Sequence, residues 1–234
     1  MKRLAIFLEG KTEQIFIDKF LREFISMQNL AIETVEASGT ECPRFTTIIS
    51  SDNLTNQTKY EVLLFNSCSD RRVISDLVER YENLKNEGYN SFLAIRDLYP
   101  EYTYDERDEA KEDSHFFIRD FENTTIIYAT MEVETWFIAE LNHYPKIDTR
   151  LTVENIKNNL INLESMDNFE KDMVEPSKQL NKIYNLVDKH WSKSEKGIVR
   201  TVNNLDYENL YYNTREQMPS LNQLITKLDE FFID

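Results

Sequence analysis

Two hydrophobic rhythms alternate along the chain. Leu4 to Leu8 is an unbroken apolar run, as expected of a strand buried on both faces, and Ile15, Phe16, Phe20, Phe24 and Ile25 then recur at helical spacing. Tyr60 to Phe65 predicts a further strand, after which Asn66 to Asp70 offers several helix caps. Val73, Ile74, Leu77, Val78, Tyr81 and Leu84 share one helical face, and Gly88 stands where a helix stop is wanted. Ser91 to Ile95 and Thr124 to Thr130 read as strands, separated by a charged segment, Asp105 to Phe121, that predicts a solvated helix with a thin apolar face. Trp136, Phe137, Ile138 and Leu141 return to helical spacing. Leu30 to Val35 and Phe45 to Ile49 have the β-branched character of strands or extended edges, and Ser50 to Lys59 reads as a loop. Strands alternating with helices imply an α/β fold with a mostly parallel sheet and right-handed crossovers.

Beyond Asn142 the alternation stops. Pro145 to Arg150 reads as a connection, and Val153, Ile156, Leu160 and Leu163 mark a helix. Leu180, Ile183, Leu186 and Val187 mark another after Pro176, and Leu221, Leu224, Ile225, Leu228 and Phe231 a last one after Pro219. The expected organisation is an α/β domain over residues 1–145 with a helical C-terminal region, 146–234, packed on it.

Composition narrows the classes. With 41% hydrophobic residues and only 4 Gly and 5 Pro in 234 residues, the chain is expected to fold around a sizeable core. No stretch approaches the roughly 20 apolar residues that cross a bilayer, and no signal-like segment opens the chain, so a cytoplasmic protein without a membrane partner is expected. Cys42 and Cys68 lack metal spacing and are expected to be buried thiols. The formal charge of 27 − 42 = −15 argues against a general nucleic-acid coat, which needs clustered Lys and Arg. It leaves room for a nuclease, because a divalent ion reverses the local sign of a carboxylate site.

Acids recur where the strands end: Glu9 after the first, Asp97 after Ser91 to Ile95, and Glu132 and Glu134 after Thr124 to Thr130. Parallel strands bring their carboxyl ends to one edge, where ligands of open α/β sheets collect. Converging carboxylates suit Mg²⁺ or Mn²⁺, so Glu9, Asp97, Glu132 and Glu134 are candidate metal ligands. Glu9, Asp97 and Glu134 are the candidate catalytic groups, Glu9 as a general base beside Gly10. The competing explanation is that these acids serve helix N-termini. Lys11 is a candidate phosphate contact, set against an ordinary exposed lysine. Lys178, Lys182, Lys189, Lys193, Lys196 and Arg200, interleaved with Tyr184 and Trp191, form the densest basic cluster and the candidate nucleic-acid interface. Gly10-Lys11-Thr12 imitates the end of a P-loop, but Ala5 stands where its first glycine belongs. Glu140 and His143 have a metal-compatible spacing and read as surface residues in the absence of a second pair.

Glu9-Gly10-Lys11-Thr12-Glu13 after a strand resembles the first motif of Toprim and Toprim-like domains, which occur in topoisomerases, bacterial primases and overcoming-lysogenization-defect nucleases. Glu132-Val133-Glu134-Thr135-Trp136 and the tail through Pro176, Leu180, Lys193, Ile198, Leu205 and Leu221 resemble a bacterial Toprim-like group associated with mobile elements and phage defence. The resemblance implies divalent-metal-dependent phosphodiester cleavage of nucleic acid, with a partner protein from a neighbouring gene. In that family the first Glu and an Asp-any-Asp pair handle the metal. Glu9 and Asp97 match, whereas Tyr99 occupies the second acidic position, so Glu132 or Glu134 is needed as the missing ligand. The alternative is a non-catalytic Toprim-like module that binds a protein, nucleotide or nucleic acid. An acidic protein that mimics DNA accounts for the charge but not for acids at strand ends.

Overall fold

The computed structural model describes residues 1–99, 101–159 and 169–232. Strand β1 (Lys2–Leu8) is the apolar run that opens the chain, and Leu4 to Leu8 are wholly buried. It lies inside a mostly parallel sheet with β2 (Leu30–Ser38), β3 (Phe45–Ser51), β4 (Tyr60–Asn66), β5 (Ser91–Asp97) and β6 (Thr124–Ala129). Among the described residues the strand order is β3-β2-β4-β1-β5-β6. β1 pairs in parallel with β4, Leu4 opposite Val62, and with β5, Leu8 opposite Ile95. The edge strand β3 is antiparallel to β2, and the register slips between Thr34 and Val35. Phe92 N–H donates to the Asn123 carbonyl at 2.9 Å and Leu98 N–H to the Ala129 carbonyl at 3.0 Å. The two bonds advance together along both chains, so β6 runs parallel to β5.

The helical periods fold as helices. α1 (Lys11–Phe24) and α2 (Val73–Asn86) carry the predicted stripes, and α2 buries Val73, Leu77, Tyr81 and Leu84 among Ala5, Phe7, Leu63, Phe65 and Phe92 of the sheet. Burial of each large side chain is worth about 1.5–3 kcal/mol. Gly88, at φ +96°, ends α2 in the left-handed conformation that glycine adopts most easily. α3 (Arg107–Ile118) is the thin-faced helix: Ala110, Ser114 and Ile118 are buried, while Phe116 and Phe117 stay exposed. An ion pair that the periodicity does not show is buried beside α2, where Arg44 grips Asp76 and also donates to the Ser67 carbonyl at 2.6 Å.

The chain divides into two compact units. The first comprises Met1–Arg96, Asp105–Tyr128 and Lys227–Asp234; the second comprises Asp97–Tyr104 and Ala129–Thr226. The boundary expected after residue 145 thus falls inside the second unit. That unit contains α4 (Glu134–Ala139), α5 (Tyr144–Ile147), α6 (Val153–Asn159), α7 (Phe169–Asp172), α8 (Pro176–Asn185) and α9 (Glu195–Val202). Leu160 and Leu163, expected to continue the helix now seen as α6, lie outside the described residues. The supposed connection from Pro145 to Arg150 begins as the helix α5, with Pro145 in its first turn, where the missing N–H costs nothing. The final helix covers Pro219–Phe232, as its apolar spacing predicts.

Both thiols differ from expectation: Cys42 and Cys68 are free and exposed, because each sits in a loop at a strand end instead of inside an element.

Candidate carboxylate and lysine site

The site assembles in the second unit where β5 and β6 end. Asp97 is the last residue of β5 and is 8% exposed. After β6 the chain turns through Met131, at φ +68°, and enters α4 at Glu134, whose carboxylate is fully buried. Glu132 precedes it in the turn. Lys193, between α8 and α9, reaches to both acids: its Nζ lies 3.1 Å from Glu132 Oε1 and 3.4 Å from Glu134 Oε1. Burial opposes its charge, but Glu134, Glu132 and Asp97 together outweigh that and raise the lysine well above its ordinary range. The lysine side chain is 48% exposed, so a half-exposed cation lies between the acids and solvent.

The three acids have different tasks. Glu132 Oε2 accepts the Ser177 N–H at 3.0 Å, serving the first turn of α8 as the helix-terminus explanation requires. Trp191 fixes the same turn, donating from Nε1 to Ser177 Oγ at 3.0 Å. Glu132 is therefore a positioning residue, whereas Asp97 and Glu134 are the more deeply buried acids. Ser194 caps α9 by accepting the Gly197 N–H at 3.3 Å, which holds the loop that carries Lys193.

Glu9 and Lys11 belong to the first unit. Glu9 follows β1 and is half-buried, and its carbonyl accepts the Ser69 N–H at 3.0 Å. Lys11 is exposed at the start of α1. Gly10 has an extended backbone, φ −154°, that any residue adopts, so its conformation does not demand glycine. Among the described residues no group of three or more His, Cys, Asp or Glu is arranged to hold a metal ion.

The basic cluster is largely engaged locally. Lys178 pairs with Glu175, and Arg200 packs on the Tyr184 ring at 5.4 Å while donating to the His190 carbonyl. Lys189 and Lys196 are exposed. Tyr184 and Trp191 are buried and serve the core, not base stacking. Glu140 and His143, expected at the surface, are both fully buried. Glu140 accepts from the N–H groups of Asn142 (2.8 Å) and Asp206 (3.1 Å) and from Asn209 Nδ2 (2.9 Å). It joins two distant segments as a structural centre.

Among the described residues no helix is long and apolar enough to cross a membrane. No family model matches the chain. No curated protein matches it either. One solved structure, assigned as a cell surface hydrolase from Lactobacillus plantarum WCFS1, aligns at 11% identity over 100% of this chain and 91% of that one, with a TM-score of 0.33. A likeness that slight carries no argument about fold or activity.

Proposed function

We propose that the protein is a Toprim-like, divalent-metal-dependent nuclease that cleaves nucleic-acid phosphodiesters in the cytoplasm, in the phage-defence or mobile-element setting that its motifs imply. The observation that carries this reading is the pairing of Glu132 and Glu134 with a half-exposed lysine, Lys193, whose charge Asp97 also favours, where two sheet strands end. Oxygen donors of this kind suit Mg²⁺ or Mn²⁺, and Asp97 and Glu134 are the groups that would hold the ion. The fit is partial, because the described residues offer no ready set of three and Lys193 already neutralises the acids. When bound, the ion would supply charge for the phosphate oxygens and a more acidic water. Lys193 would bind a phosphate oxygen through its exposed ammonium, and Glu132 would keep α8 and that lysine in place. Glu9 enters the reading through its motif as a general base.

A titration of Mn²⁺ or Mg²⁺ against melting temperature, paired with plasmid and RNA nicking, tests it. The expected result is a rise in melting temperature that Glu134→Gln removes together with nicking, and a loss of nicking in Glu9→Gln. Melting unmoved by about 10 mM of either ion, with no cleavage, overturns it. Two observations favour a second reading, a non-catalytic module for a partner protein, a nucleotide or nucleic acid: Lys193 pairs with Glu132 and Glu134 without metal, and Tyr99 replaces an acid. In that case a partner should co-purify equally with the wild type and Glu134→Gln.

A further inference from the structure

A hollow of about 320 Å³ opens at the amino ends of β1, β5 and β6, and all of its lining residues belong to the first unit. Side chains alternate across a strand. Phe92 and Ala94 of β5 and Ile126 of β6 pack toward α2, so Ser91, Leu93 and Thr125 turn to the other face, where they line the hollow. Lys2 enters from the start of β1, Asn90 and Asn123 from the turns before β5 and β6, and Lys227, Glu230 and Phe231 from the end of the final helix. The volume falls within the range of about 300–1,000 Å³ that small-molecule sites occupy.

Its chemistry is polar and cationic. Lys2 Nζ donates to the Phe231 carbonyl at 3.2 Å, and Lys227, one turn before Phe231, pairs with Glu230 at 2.6 Å. An ammonium carries three donors, so both lysines keep N–H groups to give. Two lysines against one carboxylate make 2 − 1 = +1 in a chain whose balance is −15. Among the described residues the hydroxyls of Ser91 and Thr125 and the side-chain amide of Asn90 make no hydrogen bond within the chain. Anchoring the helix end occupies one donor of Lys2 and leaves all of these groups idle.

We propose that this hollow binds a small sugar phosphate, with the phosphate between Lys2 and Lys227 and the sugar hydroxyls on Asn90, Ser91, Thr125 and Glu230. A phosphate monoester carries a charge of about −1.5 to −2 near neutrality, which two ammonium groups match better than the single charge of a carboxylate. Hydroxyl and amide groups both donate and accept, as sugar hydroxyls do. The assignment is independent of any cleavage chemistry.

Calorimetric titration of the full chain with ribose 5-phosphate tests this, in a chelator so that no divalent ion carries the phosphate elsewhere. Saturable binding with a Kd below about 1 mM is expected, and binding of uncharged ribose at least about tenfold weaker. Lys227→Gln, on a half-exposed helix position, should weaken ribose 5-phosphate about tenfold. Thr125→Val, which removes the hydroxyl, should weaken it about threefold and leave the affinity for inorganic phosphate unchanged. No binding up to about 10 mM overturns the proposal, as does ribose binding as tightly as its phosphate. An affinity that neither Lys2→Gln nor Lys227→Gln alters also overturns it, since the phosphate would then sit elsewhere.

Discussion

Glu140 illustrates how a carboxylate can leave the surface and remain ionised. Burial alone would raise its pKa, but the hydrogen bond and charge of His143, with the Asp206 and Asn142 N–H groups, hold it below the ordinary carboxylate range. A folded-state pKa below the unfolded one stabilises the fold fully above the unfolded value, and that contribution is lost as pH falls through the folded value. Glu140→Gln should therefore cost about 2–4 kcal/mol near neutrality, because it breaks a fully buried polar centre. The gap in urea stability between variant and wild type should narrow on acidification through the carboxylate range; a gap that widens would contradict the assignment. In the sequence, Glu140 and His143 are three residues apart, and their burial depends on Asp206 and Asn209, more than sixty positions away. That is why spacing alone placed them at the surface.

At the level of elements, α9 is one of the helices the apolar pattern did not announce. Its signals, Ser194 as a cap and Ile198 and Val202 on one face, are interrupted by Gly197, an unfavourable helix residue. The glycine has a steric cause: a Cβ there would lie 2.3 Å from the Ser192 carbonyl oxygen. Alanine favours a helix over glycine by about 1 kcal/mol, yet here overpacking against backbone should dominate, and Gly197→Ala should lose about 1–3 kcal/mol. A lower urea midpoint is the expected readout, and a higher one would show that the loop before α9 yields easily. Since Lys193 adjoins Ser192, the same substitution should disturb the lysine's grip on Glu132. The sheet helices, in contrast, were legible because their apolar stripes pack locally on strands of obvious character.

Over the whole molecule, strand-end acids are visible in sequence because each depends on a local change of rhythm. Their shared lysine is not, since Lys193 is 61 residues from Glu132 and resembles any other lysine of a basic run. With 42 acidic against 27 basic residues, long-range forces repel a polyanion. A fluorescent DNA duplex should therefore remain unbound in about 0.15 M salt without a divalent ion, and binding should appear only when one is added. Strong metal-free retention would shift attention to exposed Lys189 and Lys196. The position of β1 has a consequence for synthesis. It is translated before both of its neighbours, yet it sits between strands built from residues 60–66 and 91–97. Until both have emerged from the ribosome, the most apolar segment of the sheet lacks its permanent cover, and that interval is when nascent chains are most exposed to aggregation.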